Sequence, residues 1–254
     1  MALSRREVQF VRSLNQKKFR QKYNKFAVEG DKIAREVLAE APERIDRLWA
    51  LPGWLEANGL SSSGQGSMSI TAVTPRELKQ LSQLRTPNQV VLIMHLKGPL
   101  WHPSAVAAHL SLYLDGIQDP GNAGTLLRIA DWFGLPAVFA SPDSADLYNP
   151  KVLQASMGAF LRVPYHRLPL DELLHSLPEG VSVLGASLEG ESVFAQPFPT
   201  RGILVVGREG SGLRPEVRER LTHRLHVPGG GGAESLNAAV ATGIMVAQLL
   251  YGSA

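Results

Sequence analysis

The sequence contains no cysteine, so disulfides, thiolate nucleophiles and cysteine-ligated zinc sites are excluded. It has no apolar run near the ~20 residues that a membrane-spanning helix needs, and its N-terminal segment lacks the apolar block of a secretory signal. We therefore expect a cytoplasmic protein. With 254 residues, 44% of them hydrophobic, the chain can form one large packed domain or two modest ones.

Acidic side chains are scarce at the start of the chain. Residues 1–25 hold eight basic residues and a single acid, Glu7, with aromatic Phe10, Phe19 and Tyr23 among them. Phosphate backbones are attracted by such cations, and aromatic rings can stack on unpaired bases. The segment predicts either an RNA-binding surface or a solvated amphipathic helix. The candidate RNA contacts are Lys17, Lys18, Arg20, Lys22 and Lys25.

The first half of the chain has an α/β pattern. A helix is predicted from about Gly30 to Glu40, with apolar residues on one face. Thr74, followed three residues later by Glu77, predicts a capped helix start. Short strands are predicted at Phe26–Val28, Ile45–Ala50 and Val90–His95. Residues 98–107 are expected to link an N-terminal domain, residues 1–97, to a C-terminal domain, residues 108–254.

The second half alternates strands and helices. Strands are predicted at His109–Leu114, Ala137–Ala140, Val181–Gly185, Ile203–Val206 and Leu225–Val227. Helices are predicted at Thr125–Phe133, Asp171–Leu177, Arg214–Leu221 and Ser235–Tyr251. This alternation indicates a mostly parallel sheet with helices on both faces. Ligands of such sheets bind at the carboxyl ends of the strands.

Three loops of the second half follow predicted strands. Loop 1 is Asp115–Gly124, loop 2 is Gly207–Leu213 and loop 3 is Val227–Asn237. Glycine allows the backbone to approach a ligand closely. We therefore expect the loops to form a single small-ligand site built largely from backbone. Loop 2 lacks the Gly-Lys-Ser/Thr sequence of a phosphate-binding P-loop.

Polar residues in the loops supply the candidate chemistry. Asn122 is predicted to cap the helix that carries Arg128, and Ser235 to cap the final helix, with Asn237 in its first turn. Glu209 lies among the glycines of loop 2, where a simple turn does not require a carboxylate. Taken singly, loop 1 also fits an ordinary turn before a helix, and loop 3 a linker.

Together the loops resemble the three motifs of the SpoU-type (TrmH-type) RNA ribose methyltransferases of the SPOUT superfamily. The matching segments, in the family's order and spacing, are residues 122–128 (NAGTLLR), 207–213 (GREGSGL) and 227–237 (VPGGGGAESLN). Residues 151–164 are similar to the segment between the first two motifs. The resemblance covers about residues 108–254. The first hundred residues are similar to the ribosomal-protein-like RNA-binding domain that often precedes this fold, most clearly at Phe26–Gly30.

The resemblance implies an α/β protein. Its C-terminal parallel-sheet domain would contain a deep trefoil knot, and the smaller α/β domain before it would bind RNA. The resemblance also implies methylation of a ribose 2′-hydroxyl with S-adenosylmethionine as cofactor and without a metal. Ribosomal RNA is favoured over transfer RNA as the substrate. The family further implies a homodimer formed through the C-terminal domain, with each active site completed by the partner chain.

The same resemblance implies roles for individual residues. The implied catalytic residues are Arg128, Asn122, Glu209, Ser235 and Asn237. The implied cofactor contacts are Ala186, Ser187, Gly207, Gly212, Val227 and Leu236. Arg128 either takes the hydroxyl proton or stabilises the developing alkoxide; a charged guanidinium has no lone pair, which favours the second role. Arg208 departs from the family pattern, which often has a small or amide residue there, and Gly229 stands where methionine is common.

Two other classes of protein fit part of the sequence. A non-catalytic RNA-binding or ribosome-assembly factor could share the fold, but the presence of all five implied catalytic residues argues against it. A nucleotide-dependent enzyme could use loop 2 for phosphate, but the lysine of such loops is missing.

Overall fold

The computed structural model describes residues 3–61, 68–84, 86–98 and 100–252. The chain divides into two compact units, of which the first comprises residues 1–97 and 148–161 and the second residues 98–147 and 162–254. No helix in the described part is long and apolar enough to cross a bilayer.

The helices and strands are numbered in chain order. The helices are α1 Arg5–Ser13, α2 Lys17–Tyr23, α3 Asp31–Glu40, α4 Pro52–Ala57, α5 Pro75–Leu81, α6 Pro103–Ala108, α7 Pro120–Trp132, α8 Pro150–Ser156, α9 Leu170–His175, α10 Pro215–Arg218 and α11 Ala238–Tyr251. The strands are β1 Lys25–Glu29, β2 Ile45–Ala50, β3 Ser69–Ala72, β4 Val90–His95, β5 Leu110–Leu114, β6 Val138–Ala140, β7 Tyr165–Arg167, β8 Val183–Ser192, β9 Gly202–Val206 and β10 His223–His226.

The first unit is a four-stranded mixed sheet in the order β1-β4-β2-β3. β4 is antiparallel to both of its neighbours, and β2 pairs with β3 in parallel. Helices α1 and α5 cover one face, where Val11, Leu14 and Trp49 are buried in a shared core. α8 lies beside β1, which is an edge strand, and the Phe26 ring packs on those of Tyr148 and Phe160.

The predicted capping box at the start of α5 is confirmed. The Glu77 N–H donates to Thr74 Oγ1 at 3.3 Å, and the Thr74 N–H donates to Glu77 Oε2 at 2.9 Å. The Leu3 N–H donates to the other carboxylate oxygen of Glu77 at 3.1 Å. These backbone donors, with that of Thr74 contributing most, lower the pKa of Glu77 to about 2. The start of the chain is therefore attached to the start of α5.

The second unit is a six-stranded sheet in the order β10-β8-β9-β5-β6-β7. Every neighbouring pair is parallel, so the predicted parallel sheet is confirmed. The central strands β5 and β9 are buried along their whole length. Helices α6, α9 and α10 cover one face through an apolar cluster. α7 packs against β5, and α11 packs against α7, where Gly243 faces Ile129.

The structure differs from the sequence-based predictions in several stretches. The predicted linker, residues 98–107, contains most of α6, and Val106 of that helix is fully buried in the core of the second unit; residue 99 lies outside the described residues. Residues 148–161 group with the first unit. The short strands β3 and β7 were not predicted, because four and three residues carry too little apolar pattern.

Candidate active site

Loops 1 and 2 begin side by side. Leu114 and Val206 are register partners at the carboxyl ends of β5 and β9, and the Asp115 N–H donates to the Val206 carbonyl at 2.8 Å. After β5 the chain runs to β6, on one side of this central pair of strands. After β9 it runs to β10, which lies on the other side of the pair, beyond β8. Where the direction of connections reverses in a parallel sheet, a crevice opens outside the strand ends.

Loop 3 meets the other two loops through a cluster of three polar side chains. Asn237 Nδ2 donates to Glu209 Oε1 at 2.6 Å and to Asn122 Oδ1 at 3.0 Å. Asn122 Nδ2 also donates to Glu209 Oε1, at 3.0 Å. We call this group the amide–carboxylate cluster. It brings one residue from each loop together, as the sequence predicted for the loops.

The helix caps differ from those predicted. α7 begins one turn earlier than expected, and its N-cap is Asp119, whose carboxylate accepts from the Asn122 N–H at 2.8 Å. α11 begins later than expected, and its N-cap is Asn237 rather than Ser235. The predictions of Asn122 and Ser235 as caps were therefore wrong. A proline at the first helical position after Asp119 favours the earlier start.

The cap at Asn237 fixes the whole side chain. Its Oδ1 accepts from the N–H groups of Ala239 at 3.0 Å and Val240 at 3.3 Å, so its Nδ2 is left to donate to Asn122 and Glu209. The start of α11 is thereby coupled directly to loops 1 and 2. This role was missed because an asparagine cap and an asparagine in the first turn look alike in a sequence.

Two of the predicted catalytic residues lie outside the amide–carboxylate cluster. Arg128 is exposed on α7, and its guanidinium makes no hydrogen bond or ion pair with any described residue. It lies six residues beyond Asn122, which places the two side chains about 120° apart around a helix of 3.6 residues per turn. Ser235 is exposed in loop 3, two residues before the cap. The structure thus brings together three of the five predicted residues.

A second set of contacts, not predicted from the sequence, attaches loop 2 to the strand ends. The Asp115 carboxylate is fully buried, and it accepts from Arg214 N at 2.9 Å and Arg214 Nε at 2.6 Å. Asp115 directly follows the buried strand β5, and this position was the available signal for its role. The hydrogen bond to Asp115 and the nearby carboxylates outweigh burial and raise the pKa of Arg214.

Arg208, at which loop 2 departs from the family pattern, contacts other residues of the same chain. Its Nε donates to the Gly116 carbonyl at 3.0 Å, and its guanidinium pairs with Asp143 after β6. Gly116 has a φ of +70°, and a Cβ there would lie 2.4 Å from Arg208 Nε, so the contact requires glycine. Asp143 also accepts from Ser141 Oγ, and that bond is the main cause of its lowered pKa. Arg208 therefore braces loop 2 against loop 1.

The backbone near the strand ends has room and free donors for a ligand. β8 and β10 lose register between Gly185 and Glu191, so Ala186 and Ser187 bulge out of the ladder. In loop 3, residues 228–236 are exposed, and none of their N–H groups donates to a main-chain carbonyl of a described residue. A Cβ added at any residue from Gly229 to Gly232 would meet no atom within 4 Å. The segment is therefore open to a ligand that binds backbone.

The predicted cofactor contacts differ in what they offer. Gly207 follows β9 and is buried, and a Cβ there would lie 2.4 Å from the Gly212 backbone. The Gly212 N–H already donates to the Arg208 carbonyl at 3.0 Å, so it shapes the turn of loop 2. Val227 follows β10 and is half-buried, whereas Leu236 is exposed in loop 3. Free backbone beside aliphatic side chains fits a nucleoside such as the adenosine part of S-adenosylmethionine.

The predicted RNA contacts of the first unit divide into two groups. Arg20 is 4% exposed and its guanidinium donates to the carbonyls of Leu14 and Asn15, so it closes the end of α1. Lys25 pairs with Asp46 at 2.7 Å. The other three, Lys17, Lys18 and Lys22, are exposed on α2. Lys18 lies over the ring of Phe19, and Lys22 over that of Tyr23.

Comparison with known proteins decides the family. Residues 109–247 match the SpoU rRNA Methylase family, which is more than half of the chain. The chain belongs to the SpoU rRNA methylase family. Residues 5–92 match the MRM3-like substrate binding domain, so the SpoU domain of this chain follows a substrate-binding domain.

Relatives of the SpoU chain are similar over nearly its full length. It is 33% identical over 245 residues to the 23S rRNA (guanosine(2553)-2′-O)-methyltransferase RlmP of Bacillus subtilis, covering 94% of this chain and 93% of that protein. A putative RNA methyltransferase of the TrmH family from Porphyromonas gingivalis superposes with a TM-score of 0.84 at 37% identity, covering 98% of each chain. An AdoMet-bound rRNA methyltransferase from Sinorhizobium meliloti gives a TM-score of 0.81 at 25% identity, over 98% and 95% of the two chains.

The buried carboxylate of Asp115 yields a prediction about stability. The change Asp115→Asn leaves Arg214 without its ionised partner, and breaking a buried pair typically costs 3–5 kcal/mol. Because the Arg214 side chain is about one-third exposed, we expect the lower end, about 3 kcal/mol in the free energy of unfolding. Urea denaturation followed by circular dichroism measures it.

Asp171→Asn is the matched control, since Asp171 forms an exposed pair with Arg220 at 2.8 Å. Exposed pairs contribute about 0–1 kcal/mol. Equal losses of stability in the two variants would contradict the assignment of Asp115 as the anchor of loop 2.

Proposed function

We propose that this SpoU-family chain transfers a methyl group from S-adenosylmethionine to a ribose 2′-hydroxyl of ribosomal RNA. The observation that carries the proposal is the amide–carboxylate cluster, which joins loops 1, 2 and 3 at the carboxyl ends of β5 and β9. The full-length similarity to an enzyme named for guanosine 2′-O-methylation of 23S rRNA supports the substrate class. The proposal includes a cytoplasmic location, where ribosomal RNA is available as a substrate.

The cofactor would be held by main-chain groups at three neighbouring strand ends. Gly207 follows β9, Val227 follows β10, and Ala186 and Ser187 form the bulge of β8 that lies between these two strands in the sheet. Leu236 adds an apolar side chain from loop 3. When bound, S-adenosylmethionine supplies a methyl group on a positively charged sulfur, so the reaction requires neither a metal nor a covalent enzyme intermediate.

The protein residues position the ribose and stabilise charge. Asn122 and Asn237 share Glu209, so Glu209 acts as a positioning residue that fixes both amides. Ser235, two residues before Asn237, would orient the sugar. A guanidinium has no lone pair with which to take a proton, so Arg128 acts as a cation and not as the base. Its positive charge stabilises the alkoxide that develops as the 2′-hydroxyl proton leaves to water, or holds the adjacent phosphate.

The proposal includes a deep trefoil knot in the second unit. After the edge strand β10, loop 3 returns across the carboxyl ends of the neighbouring strands, because Asn237 contacts both Glu209 and Asn122. α11 then packs on α7, which follows the central strand β5. This path, back from the sheet edge to its centre, supports threading of the C-terminal segment. Loop 2 would form part of the ring through which it passes.

The proposal also includes a homodimer formed through α7 and α11. α11 carries no charged residue in its fourteen positions, and a helix that is apolar all round is normally buried. In the single chain, however, Trp132 of α7 is 84% exposed, and Val240 and Tyr251 of α11 are also exposed. A second copy of the chain that covers this surface would bring its own α7 close to loops 1, 2 and 3 of the first copy. Arg128 lies one turn before Trp132 on the same side of α7, so it would complete the partner's site.

The first prediction from the proposal concerns Arg128. Arg128→Ala should lower methyl transfer to bulk ribosomal RNA by about 10²–10³-fold, the usual effect of removing one stabilising group at a developing oxyanion. Because the Arg128 guanidinium makes no hydrogen bond or ion pair with a described residue, calorimetric S-adenosylmethionine affinity and thermal stability should stay unchanged. Transfer of tritium from labelled cofactor measures the rate, with bulk transfer RNA as the alternative substrate.

Arg201→Ala provides the control, because Arg201 is exposed just before the start of β9, at the opposite end of the strand from the loops. Loss of cofactor affinity together with activity in Arg128→Ala would contradict the role assigned to Arg128. Absence of methyl transfer by the unaltered protein on either RNA would favour a non-catalytic RNA-binding factor.

The second prediction concerns the lysines of α2. Replacing Lys17, Lys18 and Lys22 by alanine should weaken RNA binding and reduce its salt dependence. Each lost phosphate contact lowers the slope of log affinity against log salt by about 0.7–0.9, so loss of three contacts should lower it by about 2–3. Point variants are preferable to removal of the segment, since Val11 and Leu14 belong to the core. Affinity for ribosomal RNA measured at several salt concentrations gives the slope.

The control replaces three other exposed lysines, Lys32, Lys79 and Lys97, by alanine, which removes the same amount of positive charge. An equal decrease in slope in the two triple variants would mean that net charge, and not the α2 surface, determines RNA binding.

The third prediction concerns the dimer. Trp132→Glu places a charge in the proposed interface, and sedimentation velocity should show a monomer where the unaltered protein is a dimer. Methyl transfer should fall with dimerisation, because Arg128 would no longer reach a partner's site. Phe194→Glu changes another exposed aromatic residue, outside α7 and α11, and should remain dimeric. A monomeric unaltered protein would refute the interface.

A further inference from the structure

The first unit contains a cavity that the reaction does not use. It has a volume of about 580 Å³, within the ~300–1,000 Å³ range of small-ligand sites. The cavity lies along the edge strand β1, between the end of α5 and the start of α8. Its floor is aliphatic and includes Val28, Ile33 and Leu153, all of which are buried.

Side-chain amides surround the floor of this cavity. They belong to Asn15, Gln83, Asn149 and Gln154. An amide offers a donor and an acceptor side by side, which is the pattern that pairs with the edge of a nucleobase. An aliphatic floor surrounded by amides therefore suits a flat ring with a polar edge.

One of these amides is buried without a partner. Gln83 Nε2 is inaccessible to solvent and donates to no described atom. A buried donor without an acceptor costs free energy. Because Gln83 as a whole is only half-buried and lines the cavity, rotation of its amide towards the cavity lets Nε2 reach an acceptor on a ligand. The backbone of Gln83 is held in place, because its N–H donates to Glu29 Oε1 at 2.9 Å. Ser82 Oγ donates to the other oxygen of Glu29.

The charges around the cavity suit a nucleotide. Glu29 is the only acid among the lining residues, and it is 9% exposed and hydrogen-bonded. Lys151 is exposed at the rim, where it can meet a phosphate. Asn15 lies in the turn between α1 and α2, two residues before Lys17, so the rim continues into the lysine surface of α2.

We propose that this cavity binds one unpaired nucleobase of the RNA substrate, with Gln83 donating from Nε2 to an acceptor on the base edge. RNA-binding proteins read sequence mainly from splayed, unpaired bases. The matched substrate-binding domain, residues 5–92, contains most of the lining residues, including Gln83. The proposal rests on the proposed function only for the identity of the ligand as RNA. The cavity is a specificity subsite in the first unit, made of residues other than those of the loops.

The test measures binding of the full chain to labelled RNA by fluorescence anisotropy. The probes are single-stranded A, C, G and U homopolymers of about ten nucleotides, a length within usual single-strand sites, and a fully paired duplex of equal length. At least one single strand should bind more tightly than the duplex. Gln83→Leu should lower the affinity for that strand by about fivefold or more, which is the lower end of the effect of losing a base contact. The affinity for the duplex should stay unchanged.

Two variants make the test specific. Gln80→Leu is the matched control, since Gln80 is exposed on α5, and it should bind like the unaltered protein. Gln83→Leu removes no hydrogen bond of Nε2 in the free chain, so its melting temperature should not fall. If it nevertheless misfolds, Gln154→Trp fills the cavity from its half-exposed rim and should produce the same selective loss.

The proposal is overturned if the folded cavity variants bind all four strands like the unaltered protein. It is also overturned if the cavity variants lose affinity for the single strand and for the duplex equally. A third contradicting outcome is that the unaltered protein binds the duplex as tightly as it binds each of the four single strands. Methyl transfer to bulk ribosomal RNA separates this test from that of the proposed function. If the protein methylates ribosomal RNA but Gln83→Leu leaves its affinity for single strands unchanged, only the cavity proposal is refuted. If the protein binds single strands selectively through the cavity but transfers no methyl group, only the proposed methyltransferase activity is refuted.

Discussion

One carboxylate oxygen, Oε1 of Glu209, accepts hydrogen bonds from the side-chain amides of Asn122 and Asn237. These residues follow different strands, and the two amides are 115 positions apart in the chain. Hydrogen bonds from amides to a carboxylate are generally stronger than those between two neutral groups. The contact holds together the start of α7, the turn after β9 and the start of α11. The proposed cofactor site and the proposed placement of the ribose both depend on this convergence.

Contacts made by Asp115 and Arg208 also keep loop 2 in place. Asp115 directly follows the central strand β5 and accepts from both the main chain and the side chain of Arg214. Arg208 contacts Gly116 and Asp143. Loop 2 is therefore fixed from two sides before any ligand binds. Such preorganisation reduces the ordering cost of ligand binding. In loop 3, by contrast, exposed glycines without main-chain hydrogen bonds leave the backbone free to adapt to a ligand.

The two RNA contacts proposed for the first unit differ in kind. The exposed lysines of α2 offer charge, which attracts phosphates without reading sequence. The amide-lined cavity beside β1 offers directional hydrogen bonds, which depend on the identity of a base. Arg20 shows why charge in a sequence is an incomplete guide, because it lies in the most basic segment and yet serves the main chain of α1.

The sequence by itself determined the elements whose patterns are local. The strands at Ile45–Ala50 and Val90–His95, the capping box at Thr74 and the parallel sheet follow from apolar runs and neighbouring residues. The three loops were also recognisable, because their glycines and polar residues occur in short, ordered segments. The tertiary structure alone decided which side chains meet. Glu209 meets Asn122 and Asn237, and Asp143 contacts Arg208, because these contacts depend on the register between strands distant in the chain.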